Sequence, residues 1–195
     1  MNNSDIKFDD HYWTERYLEN KAGWDIGHPS TPLKEFINQL KDPSISILIP
    51  GCGNAYEAEY LFQKGFTNIT LLDISSALVE RLKGNYKDKK INILHEDFFD
   101  HKGQYDLILE QTFYCALYPS LRKQYADKIH QLLKHGGKLT GVLFNRQFDE
   151  SPPFGGTEHE YRMLFQKKFN IKKMELCYNS ITPRKGTELF FILEK

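Results

Sequence analysis

Short apolar runs alternate along this chain with segments whose apolar residues recur every three or four positions. That alternation predicts strands and helices in turn. Ile45 to Pro50 reads as a buried strand running into Gly51-Cys52-Gly53, a sharp turn. Asn68 to Leu72, Ile91 to Leu94, Tyr105 to Leu109 and Lys138 to Phe144 read as four more strands. The first three end at Asp73, near Asp97 and at Glu110. Between them, Ala55, Ala58, Leu61 and Phe62 share one helical face, with Gly65 as the stop. Leu78 and Leu82 mark a helix that Ser75 can cap, ending near Gly84. Leu121, Tyr125, Ile129 and Leu132 mark a longer helix before Gly136-Gly137. Upstream, Thr31 is the expected N-cap of a helix carrying Leu33, Phe36, Ile37 and Leu40, with Pro43 beyond it.

Strands separated by helices argue for βαβ units and a parallel sheet. The C-terminus breaks the rhythm. Phe169 to Tyr178 and Thr187 to Leu193 both read as strands, and the segment between them is too short for a crossover helix. An antiparallel hairpin is therefore expected. Five parallel strands closed by a hairpin give an α/β, Rossmann-like sheet, the architecture of class I S-adenosylmethionine (SAM) methyltransferases. That comparison is an analogy of fold, which does not by itself assign activity. No repeat or linker divides the chain, so residues 1–195 are expected to form one domain. Its first 31 residues would be a cap or lid, and residues 32–195 the core.

Composition narrows the function. Twenty-six Lys and Arg balance 26 Asp and Glu, so no overall basic field attracts nucleic acid. No apolar run is long enough to span a bilayer, and the polar N-terminus is unlike a signal peptide. Cys52, Cys115 and Cys177 lack paired spacing, which suits a reducing cytoplasm. The seven histidines form no metal-site pattern. A cytoplasmic monomer acting on a small molecule, without nucleic acid, membrane or metal, is the expectation.

Ligands of open α/β sheets sit beyond the carboxyl ends of the strands. Gly51 and Gly53 fall there, where missing side chains let a ligand approach the backbone. Asp73 ends the next strand, where a carboxylate can accept both hydroxyls of a ribose; it could instead cap the following helix. Asp97 and Phe98 could hold an adenine by its amino group and its face. Glu57 reads as a structural charge in the first turn of its helix. A dinucleotide needs a third glycine in its fingerprint, and that position is Tyr56. SAM carries no pyrophosphate and does not need it. Ahead of the sheet, Trp13 and Tyr17 share a face if their segment is helical, and Trp24 follows. Rings there either pack on the core or hold a sulfonium, a cation that aromatic faces attract.

Residues 13–33, WTERYLENKAGWDIGHPSTPL, resemble the thiopurine S-methyltransferase superfamily, closest to its plant thiol/halide methyltransferase branch and related bacterial proteins. IPGCGNAYEA, LLDIS, HEDFF, YDLILEQTFYCAL, SPPFGG and ITPRKG continue the likeness to the C-terminus. The resemblance implies SAM as cofactor and a small soft nucleophile as methyl acceptor, first a thiol or hydrogen sulfide, with halide and thiopurine also open. It implies that Trp13, Trp24, Gly51, Asp73, Asp97 and Phe98 line the cofactor site, with Tyr17 standing for a third tryptophan. Gly53 joins this set through the turn. Gln111 stands where the plant branch has a tyrosine, beside the expected methyl-transfer site. That difference bears on halide and thiocyanate specificity. No general base is named, because a thiolate needs none near neutrality. Arg146 and Arg184 could favour an anionic acceptor, though each reads first as a surface residue. Pro152 to Gly156 would form part of the acceptor-side wall. The alternatives left open are an O- or N-methyltransferase and, from another class, a SAM-binding protein without turnover; a nicotinamide oxidoreductase comes third, and the missing third glycine argues against it.

Overall fold

A computed structural model describes residues 6–195. Seven strands form one sheet in the order β3-β2-β1-β4-β5-β7-β6. They are β1 (Ile47–Pro50), β2 (Ile69–Asp73), β3 (Ile91–His95), β4 (Tyr105–Gln111), β5 (Leu133–Phe144), β6 (Asn170–Leu176) and β7 (Glu188–Glu194). The pairs among the first five are parallel, and β7 lies antiparallel between β5 and β6. The hairpin expected at the C-terminus is present. Its second strand inserts beside β5, so its first strand, β6, becomes the sheet edge.

Helices α2 (Thr31–Ile37), α3 (Tyr56–Gln63) and α4 (Ser76–Asn85) supply one face; α5 (Arg122–Leu132) and α6 (Glu158–Phe165) supply the other. The strand period of two explains the split. Ile47 and Ile49 of β1 face the core with Leu33, Ala58, Leu61, Leu78 and Leu82. Leu48, between them, faces the core with Tyr125, Ile129, Tyr161 and Phe165. Burying each such apolar side chain contributes roughly 1.5–3 kcal/mol, so the central strand is apolar on both faces.

Several boundaries differ from the sequence expectation. Ser30 rather than Thr31 precedes α2, which stops at Ile37, and no side chain caps it. β5 begins at Leu133, directly after α5, because a register shift lets Leu133 pair Tyr105 before Lys138 pairs Leu107. Helix α6 had no counterpart in the sequence reading. A reciprocal capping box starts it, with Thr157 accepting from the Glu160 amide and Glu160 accepting from the Thr157 amide.

The N-terminal segment contains helix α1 (Asp10–Leu18), capped by Asp9. It docks on the start of α4. Asp10 accepts hydrogen bonds from the Ser76 amide (2.7 Å) and hydroxyl (2.9 Å), and the Thr14 and Ser75 hydroxyls lie 2.9 Å apart. A carboxylate there also complements the positive end of the α4 dipole. Those hydrogen bonds hold the Asp10 carboxyl below its usual range despite the opposing effect of burial.

Gly141 of β5 lies opposite Glu110 of β4. A Cβ at Gly141 would sit 2.3 Å from the Glu110 carbonyl oxygen, backbone that cannot swing away. Gly141→Ala should therefore destabilise the protein by about 1–3 kcal/mol, read as a lower urea midpoint at unchanged slope. An unchanged midpoint would contradict this packing.

Candidate active site

The turn after β1 needs backbone that most residues avoid. Gly51 and Gly53 have φ +55° and +52°, and Ala55 has φ +58°. The turn brings the Gly53 amide to the Asp73 carboxylate at 3.2 Å, while the Ser75 amide donates to its other oxygen at 3.0 Å. Asp73 is thus both a tie to the glycine turn and a loop-closing group before α4; the cap itself is Ser75. Burial pushes the Asp73 carboxyl up to about 6, against the lowering effect of those amides.

A cavity of about 660 Å³ opens over these strand ends, within the usual range for small-molecule sites of about 300–1,000 Å³. Each residue proposed from the sequence for the cofactor site lines it: Trp13, Tyr17, Trp24, Gly51, Gly53, Asp73, Asp97, Phe98 and Gln111. The Trp24 ring stands edge-on to both Trp13 (5.4 Å, 84°) and Tyr17 (5.6 Å, 89°). Trp13 also donates to the Phe8 carbonyl (3.2 Å). The rings therefore both pack on one another and face the cavity. Burial and the nearby Asp73 raise the Tyr17 hydroxyl far above the usual phenol range, so it stays neutral. Phe98 packs more deeply than the sequence suggested. Its ring is buried against Phe113 and Tyr125 and belongs to the cavity floor. Asp97 stays near the surface and accepts the Phe99 amide. The Gln111 side-chain oxygen is buried without a hydrogen-bond partner.

Other residues take roles that the sequence reading did not give them. Glu57, expected to charge a helix turn, is buried and accepts the Ser30 amide at 2.9 Å, tying the N-terminal segment to α3. Asp25 carries no motif of its own in the sequence. It accepts from the Asn54 amide group and from the Tyr56 hydroxyl, which joins the same segment to the glycine turn. Asn54 in turn accepts from Arg81 of α4. Tyr56, where a dinucleotide fingerprint would need glycine, is thus a structural tie. Arg184 is not a surface arginine. Its side chain is 12% exposed, pairs with buried Glu188 at 3.4 Å and donates to the Trp24 carbonyl at 2.9 Å. Arg146 is exposed, as expected; both arginines line the cavity. Pro152 and Pro153 line it too, and Phe154 packs on Tyr118 and Phe8 behind them. Cys52 and Cys115 line it as buried thiols that burial holds protonated.

The chain matches the thiopurine S-methyltransferase family over residues 8–190, nearly its whole length. It belongs to that family. A probable thiol methyltransferase of Arabidopsis thaliana is 30% identical, over 90% of this chain and 81% of the plant protein. The thiopurine S-methyltransferase of Acinetobacter baylyi is 26% identical, over 90% of this chain and 92% of that protein. Among solved structures, the Burkholderia thailandensis 1,6-didemethyltoxoflavin-N1-methyltransferase superposes with a TM-score of 0.76. It shares 16% identity, covering 95% of this chain and 86% of that one, and contains S-adenosylhomocysteine. At that identity the likeness concerns the fold. The sheet is that of class I methyltransferases, and the protein is a SAM-dependent methyltransferase. Among the described residues, no helix is long and apolar enough to cross a membrane.

The cavity suits that cofactor on its own features. A Cβ at Gly53 would meet little, but at Gly51 it would strike the Phe113 ring at 2.3 Å, so the turn is open where a ligand passes and tight behind it. Asp73 spends one amide bond on each oxygen and keeps lone pairs for a diol. The unpartnered Gln111 oxygen can take a donor such as an ammonium group.

Beneath this site Glu110 is buried, and burial pushes its carboxyl up from 4.5 to about 7. Folding therefore favours its protonated form. The stability this confers is complete below about pH 4.5 and disappears as pH rises through about 7. Glu110→Gln cannot titrate. Between pH 4.5 and 7.5 its stability should gain on wild type by up to about 3 kcal/mol in chemical denaturation. Parallel pH curves for the two proteins would refute this reading.

Proposed function

We propose that this methyltransferase moves the methyl group of SAM to a small soft nucleophile, a thiol or hydrogen sulfide. The observation that carries the reading is the division of charge between the two sheet-borne walls of the cavity, beneath an N-terminal segment that adds Arg16, Lys21 and Asp25. Between Ile49 and Phe99 its charged lining residues are the carboxylates Glu57, Asp73, Glu96 and Asp97. Between Gln111 and Thr187 they are the arginines Arg146 and Arg184. A cationic cofactor suits the first wall and an anionic acceptor the second. Relatives named thiol, thiocyanate and thiopurine methyltransferases support sulfur as the acceptor atom.

SAM, when bound, supplies an electrophilic methyl group on a sulfonium. The chain's residues then orient and shield. Asp73 would accept the ribose hydroxyls, and Gly51 and Gly53 would let the cofactor lie close to the backbone. Trp13, Tyr17 and Trp24 would face the sulfonium with their rings and exclude water. Asp97 and Phe98 would border the adenine, and Gln111 would stand between cofactor and acceptor. Residues 6–31 would act as a cap tied down through Asp10, Asp25 and Glu57; the first five residues of the expected cap lie outside the described residues. Alignment and a dry site are what such a protein contributes to in-line displacement. The two arginines would favour the thiolate over the thiol, so no protein base is needed.

A SAM-consumption assay against sulfide, small thiols, aromatic thiols, thiocyanate and iodide tests this. Sulfide or a small thiol should be methylated fastest. The rate should rise with pH through the acceptor's own pKa, near 8.5 for an ordinary thiol. Preference for iodide, or a thiol rate flat across that range while chemistry limits turnover, would remove the proposal. Glu188→Gln should lower kcat/KM for the thiolate several-fold if the Glu188–Arg184 pair positions the guanidinium; unchanged kcat/KM would detach Arg184 from the acceptor.

A further inference from the structure

Glu110 touches neither the cavity nor any charged side chain by hydrogen bond, yet the segment after it depends on it. Its Oε1 accepts the backbone amides of Phe113 and Tyr114, both at 2.9 Å. Its Oε2 accepts the Tyr125 hydroxyl at 2.7 Å. The residue is 1% exposed; of the donors' residues, Tyr114 and Tyr125 are buried and Phe113 is half-buried. The turn it holds is not one the backbone favours, since Thr112 has φ +59°. A β-branched residue there persists only where surrounding bonds fix it.

Two parts of the site hang on this turn. On one side, the Phe113 ring packs on Gly51 so closely that a Cβ there would lie 2.3 Å away. On the other, the Cys115 carbonyl accepts the Phe154 amide at 2.6 Å, which anchors the loop carrying Pro152 and Pro153. Gln111, with its unpartnered oxygen, leads into the turn. We propose that Glu110 is a positioning residue for methyl transfer: by fixing the Gln111–Ala116 turn it sets the acceptor-side wall, acting through Cys115 on the Pro152–Gly156 loop.

This rests on the reading of that wall as the acceptor side. The test compares Glu110→Ala, Glu110→Gln and wild type as full chains. Hydrogen exchange needs no acceptor. In Glu110→Ala the amides of residues 113–116 should exchange at least tenfold faster, and so should that of Phe154, while those of β1 and β2 are unchanged. S-adenosylhomocysteine affinity by calorimetry should fall less than about tenfold, because the turn also backs Gly51 and leads from Gln111. With the acceptor that wild type uses best, kcat/KM should fall at least thirtyfold. Glutamine keeps an oxygen for the two amides and should restore exchange and kcat/KM to within about threefold. Unchanged exchange at Phe154, or a loss of S-adenosylhomocysteine affinity as large as the loss in kcat/KM, overturns the proposal. So does failure of glutamine to rescue a folded protein. A wild type inactive on every thiol would defeat the sulfur reading alone, because the exchange pattern and its spread to Phe154 stand apart from it.

Discussion

The hydrogen bond from the Gly53 amide to Asp73 ties the turn after the central strand to the end of its neighbour. The cavity opens above that tie. The turn that this bond closes has left-handed backbone at Gly51 and Gly53, where the chain turns sharply away from the sheet. The same carboxylate receives Ser75, whose hydroxyl caps α4 and meets Thr14 of the N-terminal helix. One buried acid thus links the glycine turn, the second crossover and the segment that covers the site.

Buried carboxylates recur in this design. Glu57 holds the N-terminal segment, Asp73 the glycine turn and Glu110 the turn after β4. Each accepts backbone amides, the partners that best repay desolvation of a carboxylate. Each also keeps some cost, visible in carboxyl groups raised above their ordinary range. Marginal local stability of this kind is a common companion of active sites, where shape matters more than maximal stability.

Much of this was legible in the residues because it is local. Strand and helix periods located the parallel sheet, and the short C-terminal connection required a hairpin. Gly51, Gly53 and Asp73 pointed to the strand ends where the cavity opens. What escaped were the long-range bonds. Glu57 meets Ser30 from 27 residues away, and Arg184 meets Trp24 across 160. Nothing in either neighbourhood marks such a partner, so Arg184 read as a surface charge and Glu57 as a helix-turn charge. The signal for α6 was local and still passed over: Thr157 and Glu160 spell a capping box. Phe98 was ambiguous for another reason. A ring at a strand end can face ligand or core, and only the packing of Phe113 and Tyr125 settles its depth.

The central claim is that the cavity takes its cofactor on the Asp73 carboxylate. Calorimetry of S-adenosylhomocysteine on wild type and Asp73→Ala tests it most directly. The account predicts one molecule bound per wild-type chain, and a variant that remains folded but binds about 10–100-fold more weakly, the loss of a charge-assisted hydrogen bond. Equal affinity in the two folded proteins, or no heat with wild type, would contradict it.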